Sequence, residues 1–523
     1  MATVLDQNGL MQKWNRPGQM AQDYSKLELL KSGLVNRAEE YAGWTLPGEF
    51  PQLFSGSSDT EQQRDFQSIG AKAVNHLSNK LVFALFAPTR PFFRLDVDDD
   101  YMQELVDKYN MKPSDVQMAL SREERKSVKK LSTRGIRTGI HNVMTQLIIT
   151  GNALLYFPVE GGKAQVFSLR DYVCKRDMSG EALDIITREH KSIQTLPSSV
   201  RNTLRASSMR YHDDDMNVFL YTRIRRESDG RYYTMQCVEN VPLQDSWGVY
   251  PKKQLPWVPL TWKLNRGFDY GTGLVEEYAG DFHALSVLSE SMVIGAAIAA
   301  EVKFLVNPAG ATDLVALNKA RNGDYVPGRE EDITTHQIDK TSDWNFVLSM
   351  IDNYERRIGQ AFLLGSAVTR DAERVTAEEI RFQAQELETS LGGVYSRLAE
   401  ELQLPLAYIA LGETGFLIND KRIEPMVITG MESLSRNSDV DNMMMYFQDL
   451  SLLAQLPEMV QAYIKVPEIM ALLGTARSVN YQTFMKSEEQ VQAEQKELQE
   501  RAVAQQAAVD ENSAAAKASQ QPQ

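Results

Sequence analysis

"LLGSAVTRDAERVTAEEIRFQAQELE", residues 363–388, ends one helical pattern, crosses a short charged gap and starts another. The second helix is clearly signalled. Thr376 and Glu379 form a capping box, the hydroxyl accepting from the N–H near Glu379 while the Glu379 carboxylate reaches back to the cap. Glu378 and Glu379 also sit at the positive end of the helix dipole. Ile380, Ala384, Leu387, Leu391, Val394, Leu398 and Leu402 then continue one apolar face, with a kink expected at Gly392-Gly393 and a break at Pro405. Upstream, Val347, Ile351, Tyr354, Ile358 and Phe362 mark the apolar side of a helix over 343–364. The gap itself holds Ser366, Thr369, Arg370, Asp371, Glu373 and Arg374, charges of both signs with no catalytic pattern.

Working outward, a second rod precedes the first. Residues 274–301 read as a helix about 42 Å long at 1.5 Å per residue. Its first half is amphipathic, through Leu274, Tyr278, Phe282, Leu285, Leu288 and Met292. Its second half is small, with Gly295, Ala296, Ala297, Ala299 and Ala300, which suits close packing on a neighbouring helix. Between the rods, 302–341 reads as a compact α/β insertion: "VKFLVNP" as a strand, "DLVALNKA" as helical turns and "GDYVPG" as strand plus turn. The order is rod, knob, rod.

Before the rods, residues 151–262 read as short antiparallel strands, with turns at "DMSG" (177–180) and "SDG" (228–230). Helices are expected over 20–42, 65–86 and 115–149, with a crossing loop at 44–60. Lys126, Lys130, Arg134 and Arg137 fall on one face of the third helix. That face is either solvated or set against an acidic neighbour; the sharper alternative is contact with nucleic acid. Residues 406–485 read as helical and Met-rich, and from about 488 the chain reads as a fraying helix and then a disordered tail.

The chain has 523 residues, 43% hydrophobic and 24% charged, with a net charge of −14. That length carries two to four domains' worth of core. The acidity argues against tight gripping of a phosphate backbone, though not against passing one through a pore. Two cysteines, Cys174 and Cys237, suit a reducing compartment. "MVIGAAIAA" (292–300) is too short to cross a membrane, and the N-terminus lacks a signal-peptide pattern.

Sites for chemistry are not evident. "GGKA" (161–164) fails as a phosphate loop, with Phe157 in place of the first Gly and Ala164 in place of Ser/Thr. "GFDYGTG" (267–273) lacks dinucleotide spacing, and "DVDDDYMQE" (96–104) holds Tyr101 where a calcium loop needs Gly. His76, His141, His190, His212, His283 and His336 form no ligand pair. No catalytic residue, metal or cofactor is expected.

"RAEEYAGWTLPGEFP" (37–51), "GNALLYFP" (151–158), "LVNPAG" (305–310) and "RVTAEEIRFQAQELETSLGGVYSRLAEELQLPL" (374–406) closely resemble the portal, or head-to-tail connector, proteins of short-tailed double-stranded DNA bacteriophages. The resemblance covers about 30–490. It implies an α+β, predominantly helical portal-type fold with wing, two-helix stem, α/β clip, channel loop and helical crown, assembled as a ring of twelve. The implied division is an N-terminal segment at 1–60, wing at 61–273, stem helices at 274–301 and 342–364, and clip at 302–341. The channel loop would be 365–375, the long kinked wing helix 376–405, the crown 406–490 and the tail 491–523.

It further implies a virion protein at the capsid's portal vertex, passing through the host cytoplasm during assembly. Its partners would be further copies, double-stranded DNA in the channel, the terminase large subunit, tail adaptor proteins, and the major capsid, scaffold and internal core proteins. No membrane partner and no enzyme activity are implied. Ser366, Thr369, Arg370, Asp371, Glu373 and Arg374 would belong to the channel loop. Arg321, Asp324, Arg329, Glu330, Glu331 and Asp332 would be exposed docking candidates on the clip.

Overall fold

The computed structural model describes residues 18–50, 65–86, 91–97, 113–158, 161–213, 215–243, 246–301, 303–336, 341–365, 393–415 and 423–427, with single positions between them. Apart from Gln448 and Ser451 these lie in one compact unit, Met1–Gly430.

Two helices open it, α1 (Gln19–Leu30) and α2 (Ser32–Trp44), hinged at Lys31. The expected single helix over 20–42 is thus two. Helix α3 (Ile69–Leu85) follows the four-residue spacing read from sequence, burying Ala73, Leu77, Leu81 and Leu85. After strand β1 (Phe93–Val97) come α4 (Pro113–Thr133) and α5 (Ile136–Thr150). The sequence pattern predicts one helix here. The break is at Gly135, whose φ of 68° is left-handed and open to glycine at little cost.

The β region is antiparallel, as expected. Strands β2 (Asn152–Tyr156) and β3 (Gln165–Phe167) join β10 (Trp257–Thr261) in a three-stranded sheet of order β10-β2-β3. A larger sheet runs β4 (Tyr172–Arg176), β5 (Ala182–Ser192), β6 (Asn217–Arg226), β7 (Tyr232–Val238) and β8 (Val241–Pro242), with β9 (Gly248–Tyr250) also on β7. Its hairpin turns lie where the sequence puts them: Asp177 N–H donates to the Glu181 carbonyl and Glu227 N–H to Arg231, with Gly180 and Gly230 left-handed. Helix α6 (Ser198–Ser207) caps one end through Val200 and Leu204.

Each face of the larger sheet is covered. Met20 and Tyr24 of α1 pack on Val173, Ile186, Tyr233 and Met235. Leu154, Phe167 and Trp257 of the smaller sheet pack on Cys174, Ile185 and Ile224. Polar anchors fix the first contact. Lys31 is 2% exposed and its Nζ donates to the Leu169 and Tyr172 carbonyls, each at 2.5 Å. Burial pushes its pKa down to about 7. Arg188 forks onto Glu28 at 2.8 and 3.1 Å, and Arg223 bridges Asp23 and Asp184.

Next comes the rod α7 (Ala279–Ala300), then β11 (Lys303–Val306), α8 (Leu314–Lys319), β12 (Ile333–His336) and the returning rod α9 (Thr341–Ala361). Rod, knob and rod are therefore present. Within the knob the second strand is "ITTH", paired antiparallel with "KFLV", and not the "GDYVPG" expected from sequence. Beyond 393 lie α10 (Val394–Leu398), a π-helical turn Ala399–Gln403 and α11 (Leu404–Thr414). The kink expected at Gly392-Gly393 takes the form of a left-handed Gly393 at the start of α10. Pro405 does not end a helix. It is the second residue of α11, which follows directly on the π-helical turn, and Gln403 ahead of it is itself helical, so the helical chain runs through it. Strand β13 (Ile423–Val427), inside the stretch read as helical, pairs antiparallel with β1.

Candidate functional site

The rods meet the core only at their base. Phe282, Leu285, Ile358 and Phe362 are fully buried there, with the Phe282 and Phe362 rings edge-to-face at 5.8 Å. Arg357 pairs with Asp281 at 2.9 Å across the two rods. Further out, the small residues have a visible use: a Cβ added to Gly295 would stand 1.7 Å from Cη2 of Trp344 on α9. The close packing expected of "GAAIAA" thus has a named partner.

The remaining faces of the rods are uncovered. Val287, Val293, Ile294 and Ile298 on α7 and Phe346 and Leu348 on α9 are exposed, Ile294 at 51%. Helix α7 as a whole, 22 residues with a mean hydropathy of 1.5 over an 18-residue window, is long and apolar enough to cross a membrane by length and composition only. The knob continues the pattern, with Phe304, Leu305, Leu314, Val315 and Leu317 exposed and Tyr325 at 102%. A single chain gains nothing from such a surface; it is what a subunit presents to other subunits.

The knob's polar residues divide. Arg321, Asp324, Arg329, Glu330 and Glu331 are exposed, as expected. Asp332 is not: it is 6% exposed and its carboxylate accepts from Ala311 N (2.9 Å), Thr312 N (3.2 Å) and Thr312 Oγ1 (2.8 Å). A Cβ on Gly310 would sit 2.6 Å from its Cγ, so the loop wraps the carboxylate closely. An acidic run reads as solvated from sequence because its acceptor's partners lie some twenty positions upstream.

The basic face at 126–137 is partly engaged by the chain itself. Lys130 Nζ donates to the Glu413 carbonyl at 2.5 Å, Arg134 pairs with the Glu413 carboxylate and donates to Pro158 and Gly162, and Arg137 reaches the Phe86 carbonyl at 3.3 Å. Lys126 pairs with Glu123 of its own helix at 3.1 Å. Lys130, Arg134 and Arg137 thus tie α4 and α5 to α11 and the core, while Lys126, Lys130 and Arg137 remain exposed.

Ser366, Thr369, Arg370, Asp371, Glu373, Arg374 and the Thr376–Glu379 capping box lie outside the described residues. Both flanks are described. At the end of α9, Leu363 has φ 58°, a left-handed conformation that costs a non-glycine residue about 1 kcal/mol. Leu364 N–H closes back on the Gly359 carbonyl at 2.8 Å. The Leu363 carbonyl accepts from His76 Nε2 at 3.1 Å, and on the far flank Glu386 pairs with Lys80 at 2.6 Å. Burial first, and then the Lys80 charge, hold the His76 ring below the ordinary histidine range. Sequence reading passed over His76 because a lone histidine on a core helix carries no pattern. Among the described residues no group of acidic, His and Cys side chains could hold a metal ion.

The α/β body buries its apolar core and the rod–knob–rod carries an exposed apolar surface. The comparisons with known proteins place the chain in a family. The family model for the bacteriophage head to tail connecting protein matches residues 18–484. The portal protein of Enterobacteria phage SP6 is 34% identical over 489 residues, 93% of each chain. That of Escherichia phage T7 is 35% identical over 431 residues, 80% of each chain, and that of Pseudomonas phage phiKMV is 34% identical over 491 residues, 92% of this chain and 95% of the other. The chain belongs to the bacteriophage head-to-tail connecting proteins, the phage portal proteins, and is a virion component at the head–tail junction. The resemblance read from residues 374–406 holds.

Proposed function

We propose that about twelve copies of this chain close into a ring at one capsid vertex, with the rods standing side by side around a central channel. Double-stranded DNA is packaged and ejected through that channel. The observation that carries this reading is the exposed apolar face of α7 and α9, which a neighbouring copy would cover. Negative-stain electron microscopy with native mass spectrometry tests it: rings with a central hole are expected, and a monomer under all salt conditions would overturn it for the protein on its own.

Residues 61–273 form the wing, the two rods the stem, 302–341 the clip, 376–405 the wing helix and 406–490 the crown. Residues 365–375 are the channel loop, where rings of Arg370, Asp371, Glu373 and Arg374 meet DNA without gripping it. The mixed signs support this, since a wholly basic loop would slow sliding by holding phosphates. A ring of about twelve copies carries a formal charge near −168, twelve times −14. Any share of it lining the bore repels phosphates and lowers friction. Deleting 366–372 is expected to impair packaging or DNA retention; wild-type behaviour of that deletion would defeat the loop assignment.

The clip docks the terminase large subunit during packaging and tail adaptor proteins afterwards. Arg321, Asp324, Arg329, Glu330, Glu331 and Tyr325 are its contact candidates; Asp332, spent inside the knob, is not. Capsid, scaffold and internal core proteins meet the wing and crown, and assembly takes place in the host cytoplasm.

A further inference from the structure

The two flanks of the span between 365 and 386 are both held by one helix. α3 is a stiff core element, with Ala73, Val74, Leu77 and Leu81 fully buried. His76 and Lys80 stand four residues apart on it, and so on one face, one turn above the other. His76 takes the Leu363 carbonyl, where the chain leaves α9; Lys80 takes the Glu386 carboxylate, where the chain returns. These contacts join positions 287 and 306 residues apart in sequence. Both are sheltered: the Lys80 side chain is 7% exposed and that of Glu386 22%.

The chemistry of each contact is directional. A carbonyl oxygen only accepts, so Nε2 of His76 must carry its proton, and a neutral ring suffices. The groups facing that ring are Lys80, Glu386 and Lys72 together with the Leu363 carbonyl, so an added proton on it would be opposed by burial, Lys80 and Lys72 and favoured by the Leu363 carbonyl and Glu386. Lys80 to Glu386 is a charge-assisted bond in a sheltered site, stronger than a solvent-exposed pair.

We propose that His76 and Lys80 are positioning residues of the portal: from one face of α3 they fix both the departure point and the return point of the 365–386 span. The functional consequence rests on the channel-loop reading of that span; the clamp itself does not. α3 belongs to the wing core, and through these two contacts any shift of the wing is passed to both ends of the span together.

The test uses assembled rings of the full chain carrying Lys80→Met, Glu386→Gln, His76→Ala, the conservative His76→Gln, and the charge swap Lys80→Glu with Glu386→Lys. Limited trypsin digestion is followed at Arg370, Arg374 and Arg381 within the span, relative to cleavage at the exposed Arg321 of the clip. Lys80→Met, Glu386→Gln and His76→Ala are each expected to speed cleavage within the span roughly tenfold at unchanged Arg321 cleavage, because proteolysis follows the population of locally opened chain. The swap and His76→Gln should return it towards wild type, which a general loss of packing would not allow. Equal cleavage in wild type, Glu386→Gln and His76→Ala would overturn the proposal, as would a swap no better than either single variant. In vitro packaging by the same rings separates the two readings. Faster cleavage with impaired packaging supports both, and faster cleavage with undiminished packaging upholds the clamp while sinking the channel role of the span.

Discussion

The α/β body, proposed above as the wing, and the rods, proposed as the stem, treat their apolar side chains in opposite ways. The wing closes over itself: Leu147, Ile148, Leu155 and Phe157 lie in one continuous core with α2, α3 and the 387–411 segment. The stem and clip do not. Past Leu285 on the outgoing rod and before Ile358 on the returning one, no large apolar side chain of the described residues is buried, and Val287, Val293, Ile294, Ile298, Phe346 and Leu348 are exposed. Burial of apolar area stabilises by about 25 cal/mol per Å², and in the stem that term is missing from the single chain. The wing should therefore fold as a monomer, while the stem acquires its full stability only between copies.

The largest expected effect lies in the wing. Phe157 is 1% exposed in the main core. Phe157→Ala should cost about 3–5 kcal/mol, the transfer term plus the cavity, read as a lowered urea midpoint even in protein that has not assembled. A shift under about 1 kcal/mol would mean the wing core is looser than its burial implies, and would erase the contrast with the stem.

An intermediate effect is expected where the rods touch. Gly295→Val puts methyl groups into the space held by the Trp344 ring. Overpacking of this kind costs about 1–3 kcal/mol, and hydrogen exchange should quicken in α7 and α9 while the sheets are unchanged. Uniform protection in the variant would show that the two rods do not depend on one another.

The α/β body also carries a pH signature, at Lys31 where α1 meets the sheets. Lys31 has a folded pKa near 7 against the ordinary 10.5. Between those values the unfolded chain holds a proton that the folded chain lacks, so wild-type stability rises with pH through this window, and the penalty is full below 7. The slope approaches but does not exceed about 1.4 kcal/mol per pH unit. It is best measured from pH 7 to 8.5, before the thiols of Cys174 and Cys237, pushed up to about 11 and 12 by burial, pull the other way. Lys31→Met should flatten it. An equal slope in both proteins would place the titration elsewhere.

How far the sequence spoke for this molecule follows the same division. Regular periodicity was legible: the four-residue stripe of α3, the hairpin turns at Gly180 and Gly230, and the two rods with a knob between them. Long-range pairing was not. Strand β13 is "IEPMV", and Pro425 at its centre faces Leu95 without offering an N–H, so it reads as no strand until β1 is beside it. Gly135 broke a helix that the apolar spacing carried straight through. The engagement of Arg134 was hidden because its partners, the Glu413 carboxylate and the carbonyls of Pro158 and Gly162, are remote in sequence. Exposed apolar residues such as Ile294 and Phe304 look like core in any one-dimensional reading, because the missing partner is another molecule.

That last point yields the prediction with the smallest effect on the single chain. Ile294 is half exposed on α7. Ile294→Asp should leave monomer stability within about 0.5 kcal/mol, since a surface substitution removes little that the lone chain uses. In a ring the same carboxylate would be buried against the adjoining copy without a partner, at a cost of several kcal/mol for each interface. Repeated around a closed ring, that cost should abolish rings in native mass spectra while the monomer melts as before. If Ile294→Asp assembled normally, the exposed face of α7 would not be the interface, and the contrast between a self-sufficient wing and a dependent stem would have to be rebuilt on the clip, where Phe304, Leu305 and Tyr325 are the next exposed apolar side chains to test.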